Sequence, residues 1–217
     1  MALIVVCGPT AAGKTALGIR IAQHLNTPIL GADSRQIYKD FDIGTAKPSL
    51  EERAQAEHRL IDLVDPREVF NVARYQALAC QEMEALTHAK KPILFVGGSG
   101  LYLRSVSGGW TPPAVPPNPE LRAQLAEQPL KILFAQLQEC DPEAAQRIHF
   151  NDRVRIERAL EVCLLSGKPL STQTKKEVPK NILTLGVSVE RSELHRRIAE
   201  RVHKMIQAGW VEEVQVL

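Results

Sequence analysis

The sequence predicts an α/β protein: a parallel sheet flanked by helices and interrupted by an all-helical insertion. Three observations carry that prediction. Short apolar runs alternate with longer helical patterns, as βαβ units do. The first run, Leu3-Ile4-Val5-Val6-Cys7, leads directly into Gly8-Pro9-Thr10-Ala11-Ala12-Gly13-Lys14-Thr15, a complete phosphate-binding loop that opens a helical pattern. Composition then shifts at the proline-rich stretch from Gly108 to Pro119, beyond which helical patterns follow one another without strands. The expected sheet is therefore P-loop NTPase-like, with a core over 1–110, a helical insertion over 111–180 and a return to the core over 181–217.

The elements follow in order. Strands are expected at Leu3 to Cys7, Pro28 to Leu30, Arg59 to Val64, Pro92 to Val96 and Ile182 to Val187. Between them lie a helix from Lys14 to Leu25, a short one opened by the capping box Ser49-x-x-Glu52, and a long one after Asn71. In the insertion, helices are expected at Pro119 to Glu127, Lys131 to Gln138, Asp141 to Arg147, and from Asn151 as cap to Gly167 as terminator. A helix from Ser192 to Ala208 follows the last strand. The stretch from Trp210 to Leu217 is patterned like the first turns of an amphipathic helix with no stop signal, and its Val211, Val214 and Leu217 are expected to cover the core loosely.

Composition narrows the function classes. A chain of 217 residues can bury one good core and a small second domain. No apolar run approaches the roughly 18 residues of a membrane span, and Met1 leads straight into the first strand with no signal-peptide pattern. A cytoplasmic protein with no membrane partner is the expectation, working as a monomer. Cys7, Cys80, Cys140 and Cys163 are scattered without zinc or disulfide spacing and read as reduced, mostly buried thiols. From Thr111 to Lys180 ten Lys or Arg face nine Asp or Glu, so charge alone does not point to a nucleic acid.

The loop itself promises a diphosphate or triphosphate ligand. Its glycines let backbone N–H groups turn inward around phosphate, Lys14 adds a point charge, and Thr15 offers a hydroxyl to Mg²⁺, all at the positive end of a helix. A kinase on this loop would hold Mg²⁺ with an Asp ending a buried strand. The strongest later strand instead runs into Gly97-Gly98-Ser99-Gly100, although Asp62 and Asp65 follow another one and could serve. Gly97 to Ser99 could offer close backbone approach to a ligand. At the end of the second strand, Asp33 should face the same crevice as the loop, or else cap a turn. With Ser34, Arg35 and Gln36 it sets an acceptor, a hydroxyl, a guanidinium and an amide in succession, a set suited to reading a base edge.

These words together resemble the tRNA dimethylallyltransferases, also called tRNA isopentenyltransferases. The matching stretches are Gly8 to Thr15, Asp33 to Lys39, Asp42 to Pro48, His58 to Asp62, Val96 to Tyr102, Arg147 to His149 with Asn151-Asp152, and Arg158 to Glu161 through Ser166 to Lys168. Ser99 stands where many members carry Thr, keeping the hydroxyl. The family's sequences normally continue well past the position of Leu217 with segments that help hold tRNA, so weak tRNA binding is expected of this chain taken alone.

The resemblance implies transfer of a dimethylallyl group from dimethylallyl diphosphate to N6 of an adenosine beside the anticodon, releasing diphosphate. It implies Asp33 as general base, and Thr10 and Arg201 as donors to the leaving group beside Gly8, Pro9, Ala11, Ala12, Gly13, Lys14 and Thr15. The tRNA-contacting positions it carries over are Asp33, Ser34, Arg35, Gln36, Ser99, Arg122 and the segment Val154, Arg155, Ile156, Glu157 and Arg158, which meet the anticodon stem-loop. Without it, Arg201 reads as a surface charge, and Arg155 with Arg158 as a solvated helical face. Two other enzyme readings stay open: an adenylate prenyltransferase acting on a free nucleotide, and a small-molecule kinase. A third is a non-catalytic fragment that binds diphosphate or RNA weakly.

Overall fold

The computed structural model describes residues 2–174 and 181–216. The chain divides into two compact units, Met1–Gly108 with Val178–Leu217, and Gly109–Glu177. Among its described residues the first holds five strands: β1 (Leu3–Cys7), β2 (Ile29–Gly31), β3 (His58–Arg59), β4 (Ile93–Gly97) and β5 (Ile182–Gly186). They pair in parallel in the order β3-β2-β4-β1-β5.

Alternation along β1 explains the layers. Leu3 and Val5 face one side, where they join Phe95, Tyr75, Ala79 and Leu103 in a core. Ile4 and Val6 face the other, against Ile19 and Ala22. The first face is covered by α3 (Val72–His88) and α4 (Gly100–Ser107), the second by α1 (Lys14–Leu25). Tyr75 is wholly buried, stacks on Tyr102 with centroids 3.9 Å apart and donates its hydroxyl to Gly31 O at 2.9 Å. That bond supports the end of β2 beneath the crevice. Between β2 and α3 lies α2 (Leu50–Gln55), whose capping box at Ser49 and Glu52 forms as expected. The unit is completed by α10 (Arg191–Gln207) and α11 (Trp210–Val216).

Several expectations are corrected. The strand proposed for Arg59 to Val64 stops after Arg59, because Leu60 and Asp62 adopt left-handed φ of 60° and 54°. Asp62 is drawn instead to Lys47 and Arg53. Helix α4 was not expected; it starts at Ser99 among glycines, and the Ser99 hydroxyl is engaged elsewhere and does not cap it. Of the four cysteines only Cys163 is buried; Cys7 and Cys140 are intermediate and Cys80 is exposed. In α11, Val211 and Val214 are mostly exposed and do not cover the core, and Leu217 lies outside the described residues.

The second unit is helical, as predicted: α5 (Pro119–Ala126), α6 (Leu130–Cys140), α7 (Pro142–Arg147), α8 (Arg153–Ser166) and α9 (Leu170–Gln173). Its own core joins Leu125, Leu133, Leu137, Ile156 and Leu160. The cap of α8 is Asp152 rather than Asn151, accepting the Arg155 N–H, while Gly167 ends the helix at φ 67° as expected. The expected boundary at 180 falls outside the described residues.

Candidate active site

The phosphate loop hangs between β1 and α1. Gly13 takes φ 90° immediately before the helix and Ala11 takes φ 62°, so successive N–H groups turn toward one side. Within the stretch Gly97 to Ser99, Gly97 lines the crevice and also packs closely against the end of β2. A Cβ there would lie 2.1 Å from Ala32 O, because Ala32 N donates to Val96 O and Ser99 N to Ala32 O, tying β4 to the end of β2. Gly98, rather than Gly97, lies beside Gly8 and Lys14.

A crevice of about 350 Å³ opens at these strand ends. Thr10, Lys14, Thr15, Asp33, Arg35, Gln36 and Arg201 supply its polar lining, and Val96, Ile198, Val202, Met205 and Trp210 its apolar one. This is the position at which open parallel sheets bind ligands. Lys14 donates to Pro9 O at 2.7 Å within its own loop. Burial lowers its pKa, Asp33 opposes that shift, and Arg201 adds to it, so the three charges share one neighbourhood. Asp33 does cap a turn, accepting the Arg35 N–H at 2.9 Å, and lines the crevice as well. The two readings of Asp33 are both realised.

Ser34 is held by Ser99: its N–H donates to the Ser99 hydroxyl at 2.8 Å, and the two hydroxyls lie 3.2 Å apart. Gln36 spends its amide N–H groups on Thr45 O and Ala46 O. Neither Asp62 nor Asp65 reaches the crevice. Asp62 is committed to Lys47 and Arg53, and Asp65 to Arg67, so the carboxylate a kinase of this loop class uses for Mg²⁺ does not come from them.

Helix α10 decides the reading. Its half-buried residues Leu194, Ile198, Arg201 and Met205 recur at the spacing of one helical face, so Arg201 points inward rather than into solvent. Burial lowers the Arg201 pKa, with Asp33 opposing. Three cations, a carboxylate and the phosphate loop thus surround one space with an apolar wall.

The family model for IPP transferase matches residues 36–217. The chain belongs to the IPP transferase family. It is 60% identical over 216 residues to the tRNA dimethylallyltransferase of Gloeobacter violaceus, covering 99% of this chain and 72% of that one. A tRNA dimethylallyltransferase of a Synechococcus species is 47% identical, and the chain spans 64% of its length. Among solved structures, the full-length tRNA isopentenylpyrophosphate transferase of Bacillus halodurans is similar at TM-score 0.69 and 34% identity, covering all of this chain and 69% of that one. A eukaryotic dimethylallyltransferase captured acting on tRNA is similar at TM-score 0.86 and 27% identity, covering 99% of this chain and 55% of that one.

The positions carried over from this IPP transferase family into the helical unit divide by environment. Val154 and Arg155 are exposed. Ile156 is fully buried in the helical core, so its side chain is not a contacting surface. Glu157 pairs with Arg153. Arg122 and Arg158 both bind Glu161, itself fully buried: Arg122 through two bonds of 2.9 Å, Arg158 through Nη1, while Arg158 Nη2 reaches Val115 O at 2.7 Å. Arg155 and Arg158 therefore do not form one solvated face. Sequence reasoning missed Glu161 as the hub, although its spacing three after Arg158 on a helix could have suggested the pair.

Proposed function

We propose that this chain transfers a dimethylallyl group from dimethylallyl diphosphate to N6 of an adenosine next to the anticodon of tRNA, releasing diphosphate. The observation that supports it is the single crevice in which phosphate-binding donors, a carboxylate and an apolar wall converge.

The mechanism follows from the charges. The loop N–H groups, Thr10, Lys14 and Arg201 bind the diphosphate. As the allylic C–O bond breaks, negative charge grows on the phosphate oxygens, and donors already fixed around them stabilise that charge without reorganising. Ile198, Val202, Met205 and Trp210 take the five-carbon group and keep water from the allylic carbon. The N6 amine attacks that carbon, and Asp33 accepts the N6 proton as the C–N bond forms. The Asx turn on the Arg35 N–H holds the Asp33 carboxylate in place.

Mg²⁺ fits this site. It is commonly held by one or two protein oxygens with phosphate and water completing its shell, and the Thr15 hydroxyl lines the crevice; when bound, the ion would neutralise diphosphate charge. Among the described residues no group of three or more His, Cys, Asp or Glu forms a metal cluster.

The adenosine must leave its stack to enter the crevice. Arg35 and Gln36 line it, Ser34 is bound to Ser99, and these four with Arg122, Val154, Arg155, Glu157 and Arg158 are the tRNA-contacting positions of this reading. Among the described residues no helix is long and apolar enough to cross a membrane. We place the reaction in the cytoplasm, carried out by a monomer. The test is mass spectrometry of bulk tRNA incubated with dimethylallyl diphosphate, Mg²⁺ and the protein. A dimethylallyl adduct on adenosine is expected; modification of free adenylate instead would favour the free-nucleotide prenyltransferase.

A further inference from the structure

Helix α10 carries Arg201 into the crevice, yet none of its residues, nor any of α11, is fully buried. Packing alone therefore holds the pair weakly. What fastens it is Glu213 on α11. Its Oε1 accepts the backbone N–H groups of Asp42 and Ile43, each at 2.7 Å, and its Oε2 accepts that of Gly44 at 2.9 Å. Three successive N–H groups closing on one carboxylate make a charge-assisted anchor stronger than neutral bonds.

The anchored loop is itself rigid. Lys47, almost wholly buried, binds Asp42, Asp62 and Tyr38 O, and the Gln36 amide binds Thr45 O and Ala46 O. Trp210, one turn before Glu213, packs closely on Gly44: a Cβ there would fall 2.1 Å from the indole Nε1. The absence of a side chain at Gly44 is what admits the ring. Gly44, Thr45, Ala46, Trp210, Met205 and Arg201 all line the same crevice.

We propose that Glu213 is a positioning residue: by clasping the N–H groups of residues 42–44, with Trp210 seated on Gly44, it docks α10–α11 so that Arg201 faces the diphosphate. This rests on the diphosphate reading of the crevice, and it assigns a task to two residues outside the phosphate loop. Glu213 acts through Arg201 and does not touch the ligand.

The test is a double-mutant cycle read by the affinity of inorganic diphosphate with Mg²⁺, which needs neither tRNA nor turnover. Glu213→Ala should weaken binding about tenfold, and Arg201→Ala by a similar factor. In the Arg201→Ala background, Glu213→Ala should change affinity less than about twofold, since the group it positions is gone. Gly44→Ala, which drives the indole off the loop from the opposite side, should reproduce the loss, while circular dichroism and melting of all variants report an intact core. Affinity unchanged in Glu213→Ala, or weakened equally with and without Arg201, overturns the proposal. A wild-type chain that binds diphosphate but does not prenylate tRNA overturns the transferase reading and leaves this cycle to be judged on its own readout. One that binds no diphosphate overturns both.

Discussion

Lys14 combines a titrating charge with a half-buried position, and this has a consequence for ligand affinity. Burial lowers its pKa from the ordinary 10.5, against the pull of Asp33 and with the push of Arg201. An arriving diphosphate favours the charged form, so binding draws a proton onto Lys14 wherever pH lies near or above that lowered pKa. Affinity is full below it and falls as pH rises through it, earlier than an ordinary lysine would dictate. Titrating inorganic diphosphate across alkaline pH checks this, and Lys14→Arg, whose charge does not titrate there, should flatten the decline. Asp33 is tested by kinetics rather than binding. Asp33→Asn keeps the shape and loses the proton acceptor, so single-turnover transfer should slow roughly a hundred- to ten-thousand-fold while diphosphate affinity stays largely unchanged. Near-normal transfer by Asp33→Asn would leave it only the turn it caps. The placement of both residues in one crevice was legible in the sequence because it depends on local spacing: the loop follows a buried strand, and Asp33 follows the next one. Glu213 and Trp210 were not, because nothing near them in sequence announces a loop that folds back from residues 42–44.

At the scale of elements, legibility follows how local the determining contacts are. Helix α1 and the Asn71-capped α3 begin where their caps and periodicity place them. The β3 strand is shorter than its apolar pattern suggests, since a tertiary ion pair with Lys47 and Arg53 draws Asp62 into a left-handed conformation. In the helical unit, Arg158 on α8 read with Arg155 as a solvated face and instead joins Arg122 of α5 on a buried carboxylate. Burial would raise Glu161, but the bonds from Arg122, the Asn118 N–H and Arg158 outweigh it and hold the carboxyl down at about 2. Such a group stabilises the fold fully above its ordinary value of 4.5 and loses that contribution as pH falls toward 2. Glu161→Gln leaves two arginines without their counter-charge and should cost the helical unit about 3 kcal/mol or more at neutral pH. The difference from wild type should shrink at pH 3, as followed by denaturant unfolding with helical circular dichroism. A constant difference across that range would mean that packing, not charge, accounts for the loss.

At the scale of the whole molecule, the described residues form a hydrophobic core on each face of the sheet that carries the phosphate crevice, and another inside the helical unit. Ligand linkage should therefore report on the unit that holds the site. Dimethylallyl diphosphate at a hundred times its Kd, with Mg²⁺ present, should stabilise that unit by about 2.7 kcal/mol. For a unit of this size the melting temperature should rise by roughly 5 to 10 °C. Inorganic diphosphate at equal concentration should protect less, because it leaves Ile198, Val202 and Met205 uncovered by the five-carbon group. Lys14→Ala should abolish both shifts by removing the charge at the centre of the loop. Hydrogen exchange resolves the location: protection should gather at residues 8–15 and along the inward face of α10, not within α5 to α9. Equal protection by the two ligands would deny the apolar wall its role. If instead ATP protects and is hydrolysed faster on addition of a small hydroxyl compound, with the allylic diphosphate inert, the crevice belongs to a kinase.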